Sequence, residues 1–240
     1  MARERGQGRE FWNKRAQAFP RYNEAKDSYE NTMLKAAMDL GVNFKDQRVL
    51  DVGCGSGMYT LKIALIAQSV VAVDISEEML EISHIDSQKL GLKNITYVLS
   101  DWADYEPQKE SSQFDVVFCS MCPPMEDDLA KAKLIKIVGS AVLVYIGAYD
   151  FTEPKPLSLL NDHYGLKHFR FRSGPDMRRW LDSQNLPYRW VNQKGHWTNE
   201  YSRETGINWC QNMLIDSGCP SPDRVLIEKT LEPFWRDESK

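Results

Sequence analysis

Residues 49–60 read VLDVGCGSGMYT, an apolar run that ends in a carboxylate and then breaks into three glycines at alternate positions. Val49, Leu50 and Val52 are the aliphatic types of a strand buried on both faces. Asp51 interrupts them near the strand's end, where a buried carboxylate needs a partner. Gly53, Gly55 and Gly57 tolerate positive φ and carry no Cβ, so the spacing predicts a sharp turn whose N–H groups can lie against a ligand. Met58 to Ala67 reads as a helix whose N-terminus faces that turn and suits an anionic group. The whole stretch has the make-up of a cofactor site.

Outward from this unit, strands and helices alternate. Val70 to Val73 form a second buried strand ending at Asp74, and Ser76-Glu77-Glu78 supplies an N-cap and two acids for the next helix. Ile95 to Leu99 make a third strand ending in Ser100-Asp101-Trp102. Phe114 to Ser120 is the fourth and Ala141 to Ile146 the fifth. Such alternation predicts a Rossmann-like, doubly wound, mostly parallel sheet, with ligands beyond the carboxyl ends of the strands. Asp51, Asp74, Asp101 and Ser120 all fall at those ends. Asp74 follows Gly53 by 21 residues, about where a nucleotide fold places an acid on the ribose hydroxyls. A carboxylate can accept two hydrogen bonds from a vicinal diol.

The turn has the spacing G-x-G-x-G, one residue shorter than the G-x-G-x-x-G of dinucleotide folds, which weakens a pyrophosphate reading. VLDVGCGSG resembles the first motif of the class I S-adenosylmethionine-dependent methyltransferases, and the resemblance extends over residues 49–146. It implies a Rossmann-like core that binds S-adenosylmethionine and leaves S-adenosylhomocysteine as product. The cofactor residues it implies are Asp51, Gly53, Cys54, Gly55, Gly57, Asp74, Ile75, Met79, Asp101, Trp102 and Ser120. Asp101 would meet the adenine amino group and the Trp102 backbone N–H a ring nitrogen. FWNKRAQAF resembles the lid segment that precedes the fold in many members, the alternative being an amphipathic helix laid on the sheet through Phe11, Trp12 and Phe19. The expected division is an N-terminal helical lid over 1–41, the cofactor-binding core over 42–150, and sheet completion with an acceptor-binding elaboration over 151–240, all within one structural domain. In the last part, 175–186 reads as a helix, 188–197 as hairpin-like, 203–215 as a helix, and Ser221-Pro222-Asp223 as a helix start.

The loop after strand four, Ser120-Met121-Cys122-Pro123-Pro124-Met125, departs from the N-P-P-Y of family members that methylate amide or exocyclic amino nitrogens. Without the Asn carbonyl and the Tyr ring, a planar amino group loses its acceptor and its stacking face. The expected substrate is a small-molecule acceptor. Two alternatives stay open: an RNA methyltransferase, and a non-catalytic protein that binds the cofactor. Residues 167–194 hold Lys167, Arg170, Arg172, Arg178, Arg179, Arg189 and Lys194 against Asp176 and Asp182, a basic and aromatic stretch that suits nucleic acid. The net charge of −4 argues against a surface given over to nucleic acid. Tyr149, Asp150, His163, His168 and His196 are available bases, and none has a sequence context that assigns it a catalytic role.

Composition bounds the rest. With 240 residues, 42% hydrophobic and 27% charged, the chain reads as an ordinary globular protein. Five cysteines without framework spacing suit a reducing compartment. Cys119-x-x-Cys122 has neither a second pair nor a nearby His to complete a metal site, so no metal is expected. No apolar run reaches membrane-spanning length, and the expected location is the cytoplasm.

Overall fold

The strand that precedes the glycine turn lies at the middle of a sheet. The computed structural model describes residues 5–107, 114–149, 151–168, 170–194 and 201–235. In chain order the elements are α1 (Arg5–Ala16), α2 (Tyr29–Asp39), β1 (Arg48–Val52), α3 (Met58–Ala64), β2 (Ser69–Asp74), α4 (Glu77–Lys89), β3 (Ile95–Leu99), β4 (Val116–Ser120), a 3-10 turn (Pro123–Glu126), α5 (Asp128–Val138), β5 (Val142–Ile146), β6 (Phe151–Thr152), α6 (Lys155–Tyr164), β7 (Arg170–Phe171), α7 (Ser173–Ser183), α8 (Arg203–Asp216) and α9 (Arg224–Leu231), followed by a short 3-10 turn. The first five strands form one parallel sheet in the order β3-β2-β1-β4-β5. The chain steps outward from β1 to β3 and returns on the other side of β1, so the switch point lies between β1 and β4.

Burial follows position in that order. The central β1 and β4 are almost wholly buried, whereas the edge strand β3 alternates between half-buried and exposed. Val49, Val116, Phe118, Val144 and Ile146 pack on one face with Leu34, Phe44, Tyr59 and Ile63. Leu50, Val52, Val117 and Cys119 pack on the other with Met125, Leu134 and Met177. Fully burying an aliphatic or aromatic side chain of this size contributes about 1.5–3 kcal/mol, so the two layers anchor the sheet from both sides. By the same alternation Asp51 falls on the first face, between Leu50 and Val52.

Local chemistry sets the helix ends. The Ser76 hydroxyl accepts the Met79 N–H at 3.2 Å, capping α4 as its sequence implies. The helix after the glycine turn stops at Ala64 rather than Ala67, because the Asn94 amide donates to the carbonyls of Ala64 and Ala67 at 2.9 and 3.0 Å. Those bonds satisfy carbonyls that another turn of helix would have used.

The chain divides into two compact units, Met1–Tyr149 with Ser173–Trp197, and Asp150–Arg172 with Thr198–Lys240. The sequence reading kept 151–240 together, whereas α7 and the stretch after it belong to the first unit. Among the described residues no strand after β5 joins the main sheet, and β6 and β7 pair with each other instead. The hairpin read over 188–197 is also absent among residues 188–194, the remainder lying outside the described residues. Side chains organise this stretch: Tyr188 donates to Asp182, Arg189 donates to the Leu40 carbonyl, and the Arg178 guanidinium covers the Trp190 ring at 3.8 Å. In the second unit α6, α8 and α9 enclose Leu157, Leu160, Ile207, Cys210, Leu214 and Ile227.

Gly57 and Gly91 both sit at positive φ, 84° and 68°. A Cβ on Gly57 would fall 2.1 Å from Ser83 Oγ, whereas one on Gly91 would meet nothing within 4 Å. Gly91→Ala should therefore cost only the backbone strain of about 1–2 kcal/mol. Gly57→Ala adds overpacking and should cost about 2–5 kcal/mol. Urea denaturation of both variants checks this, and equal losses would mean that the glycine turn is not packed against α4.

Candidate functional site

The glycine turn is held from behind by the neighbouring strand. Gly53 and Cys54 donate their N–H groups to the Val73 carbonyl at 2.8 and 3.1 Å, and Gly55 donates to Asp74 Oδ2 at 2.8 Å. These N–H groups therefore point into the protein rather than toward a ligand, a correction to the sequence expectation. The three glycines also serve different ends. A Cβ on Gly53 would lie 2.6 Å from Cys122 Sγ, and Gly57 is blocked by Ser83. Only at Gly55 is the Cβ direction clear, its nearest neighbour being the Phe19 ring at 3.8 Å. Gly53 and Gly57 are glycine for packing, and Gly55 is the one that leaves room above the turn.

Asp74 stands at the end of β2 and ties two segments together. Its Oδ2 accepts from Gly55 N–H, and its Oδ1 accepts from Ser76 N–H at 2.9 Å, at the start of α4. A carboxylate offers about four lone-pair sites, and with Gly55, Ser76 and the Ile75 N–H acting on it Asp74 keeps capacity for a further donor such as a hydroxyl of a vicinal diol. Burial raises the Asp74 pKa, and the backbone donors oppose that rise. Asp51 is 2% exposed and accepts from Thr60 Oγ1 at 2.6 Å. Desolvation lifts its pKa to about 7, partly offset by the Thr60 bond. Burial also keeps the Cys54 thiol protonated by raising its pKa well above the usual thiol value, so it is not a poised nucleophile.

The other predicted residues divide between strand ends and packed interior. Asp101 accepts the Ala103 N–H at 2.8 Å through Oδ1 in a tight turn after β3. The Trp102 indole is 4% exposed, stacks on Tyr105 and donates to the Ala130 carbonyl at 3.2 Å, so its side chain is structural. Met79 is buried with Ala16 and Ile82 and with Trp12 and Phe19 against them. The Ile75 carbonyl accepts from Arg9 at 3.1 Å. Ser120 ends β4 beside β1, and Met121 after it adopts φ 50° while donating its N–H to the Ile146 carbonyl at 2.8 Å. A methionine at positive φ stores strain of the kind that collects at ligand sites.

The N-terminal segment lies along the turn. Ser56 Oγ donates to the Pro20 carbonyl at 2.5 Å, Ser76 Oγ donates to Asn13, and Arg21 grips Asp86 through two bonds of 2.9 and 2.7 Å. Lys62 donates to the Asn23 carbonyl at 2.5 Å. These contacts join residues far apart in sequence, whereas the Thr60–Asp51 bond spans nine positions. Thr60 carried a signal, since it lies one helical turn past the glycines that re-aim the chain toward Asp51. The links to Pro20 and Asn23 carried none.

His168 belongs to the second unit, bridging Glu153 and Asp162 at 2.5 and 2.9 Å, and both acids raise its pKa. Asp150 and His196 lie outside the described residues. The basic stretch 167–194 is shared between the two units rather than forming one segment, and within it Arg179 pairs with Asp176. Cys119 and Cys122 are free thiols, and among the described residues no cluster of His, Cys, Asp and Glu is arranged for a metal ion. No helix among the described residues is long and apolar enough to cross a membrane.

Two stability predictions follow from these geometries. Because the folded Asp51 pKa lies above its unfolded value, the folded state holds the extra proton between pH 4 and 7. Stability should fall across that window as pH rises, by about 4 kcal/mol at most, and Asp51→Asn should flatten the slope in denaturant titrations at stepped pH. Asp74→Ala leaves two backbone donors without their acceptor and should cost about 2–4 kcal/mol. Asp74→Asn, which keeps an acceptor oxygen, should cost less, and an alanine variant as stable as wild type in thermal scans would contradict the clip.

A family model described as a methyltransferase domain matches residues 43–160. An uncharacterised protein of Haemophilus influenzae is 33% identical over 116 residues, 48% of this chain and 41% of the relative. A 23S rRNA (uracil(1939)-C(5))-methyltransferase of Alcanivorax borkumensis is 28% identical over 127 residues, 52% of this chain and 28% of the relative. The chain thus spans less than half the length of these curated relatives. Among solved structures, magnesium protoporphyrin IX methyltransferase from Synechocystis with bound S-adenosylhomocysteine shares the fold, with a TM-score of 0.50 at 21% identity over 73% of this chain and 85% of that one. Strand order, glycine turn and family match agree: over residues 43–160 the chain carries a methyltransferase domain of the class I, S-adenosylmethionine-dependent family.

Proposed function

We propose that this protein transfers a methyl group from S-adenosylmethionine to a small-molecule acceptor. The observation that carries the donor half is the arrangement at the switch point. Gly55 leaves room above the turn, Asp74 keeps acceptor capacity beyond its backbone donors, and Asp51 is a buried carboxylate poised to ionise beside a cation. Asp74 would take the ribose hydroxyls, Asp101 and the Trp102 N–H the adenine edge, and Asp51, Gly53, Cys54, Gly55, Gly57 and Ser120 the methionine end. Ile75 and Met79 would wall the site. When bound, the donor supplies an activated methyl on a positive sulfur, so the protein's part is alignment and exclusion of water rather than strong acid catalysis. The N-terminal segment, pinned at Pro20, Asn13 and Arg9, supports that exclusion.

RNA as acceptor is the second reading, suggested by the rRNA methyltransferase relative. The division of the basic stretch between two units and the net charge of −4 favour the small molecule. Filter binding with tRNA should give weak retention, and tight retention that falls steeply with salt would favour RNA.

S-adenosylhomocysteine at about a hundred times its dissociation constant should add about 2.7 kcal/mol to unfolding. NAD, which needs the longer glycine spacing, should add nothing. A thermal scan that moves with NAD and not with S-adenosylhomocysteine would overturn the donor assignment.

A further inference from the structure

Phe118 and Ser120 leave β4 on the same face by strand alternation, the face covered by α2 and α3. Tyr59, in the first turn of α3, lies against Phe118 with ring centroids 5.1 Å apart. It is 8% exposed, yet its hydroxyl has no hydrogen-bond partner among the described residues. The Ser120 side chain lies alongside that hydroxyl, outside ordinary hydrogen-bond geometry. Glu30, in the first turn of α2, is 6% exposed, and its charge acts on Tyr59, Tyr29 and Lys62. Buried polar atoms without partners are uncommon in native interiors and call for an explanation. Here the orphan hydroxyl and a serine meet at the carboxyl end of β4, with the charge of a buried carboxylate acting on that hydroxyl, next to the proposed methyl donor.

We propose that Tyr59, Glu30 and Ser120 form the acceptor side of this site and take a small molecule by a hydroxyl group, whose oxygen is the atom that gains the methyl. The assignment rests on the methyl-transfer reading above. Burial, with Tyr29, Glu30 and Asp51 nearby, holds the Tyr59 hydroxyl protonated, so Tyr59 donates a hydrogen bond and does not act as a base. A substrate oxygen can accept that bond with one lone pair, give its proton to Glu30, and keep the second lone pair for the methyl. A neutral amine has one lone pair, which Tyr59 would occupy, and a carboxylate would meet the charge of Glu30. In the transfer the substrate O–H bond breaks with its proton passing to the Glu30 carboxylate. The oxygen lone pair forms the new O–C bond as the S–C bond breaks, and that electron pair stays on sulfur. The products are a methyl ether, the neutral thioether and protonated Glu30.

The experiment combines labelled S-adenosylmethionine with a panel of phenols, catechols, small alcohols and small amines, for wild type, Tyr59→Phe and Glu30→Gln. Tyr59→Phe keeps the ring on Phe118, so it should fold, bind S-adenosylhomocysteine as wild type does, and melt no lower. Its turnover of a hydroxyl acceptor should drop about tenfold or more. Glu30→Gln should lose about 10²–10⁴-fold if it takes the proton. Undiminished transfer by Tyr59→Phe would overturn the assignment, as would a wild type that labels only amines or no member of the panel. A wild type that fails to bind S-adenosylhomocysteine would instead remove the donor reading, and this proposal with it.

Discussion

One carboxylate holds the ligand end of the sheet in place. Asp74 accepts the N–H of Gly55 with one oxygen and the N–H of Ser76 with the other, so the glycine turn after β1 and the start of α4 after β2 are fixed to the same group. The turn needs such a fixture. Its three glycines at φ 70°, 54° and 84° have more conformational freedom in the unfolded chain than any other residue type. The Val73 carbonyl, which takes the N–H groups of Gly53 and Cys54, completes the restraint. A loop pre-ordered in this way lowers the entropy cost of binding a ligand.

That rigidity shapes the chemistry around it. Because Gly53 packs on Cys122 and Gly57 on Ser83, β1 closes tightly against the loop after β4 and against α4. Asp51 and Tyr59 are carried inward on the same face of the sheet, and both are deprived of water. Desolvation then raises their proton affinities, placing a carboxylate near neutrality beside a hydroxyl that stays protonated. A cationic group entering this region would favour the ionised form of Asp51. Folding and the proposed ligand recognition thus draw on the same buried polar atoms.

The sheet was legible in the sequence because parallel strands buried on both faces leave continuous aliphatic runs, and each of VLDV, VVAV and FDVVFCS becomes a strand at or within two residues of its expected limits. Their polar terminators, Asp51, Asp74 and Ser120, were legible for the same reason. Less was readable where tertiary contacts decide. Asp74 looked like a free strand-end acid, and only the fold brings Gly55 and Ser76 to it. Trp102 is drawn into the interior by Tyr105 and Ala130. The stretch after Pro187 alternates enough to suggest a hairpin, yet Arg178 and Arg189 tie it down by side-chain contacts that no periodicity encodes. Tyr59 and Glu30, 29 residues apart, carried no local sign of their common setting.

The account turns on where the donor binds, and backbone amide NMR during titration with S-adenosylhomocysteine locates it most directly. Gly53, Gly55, Gly57, Ile75 and Trp102 should show the largest shifts, while the amides of α8 and α9 stay fixed. Shifts centred on α8 and α9, with the glycine turn unmoved, would contradict a donor site at the switch point between β1 and β4.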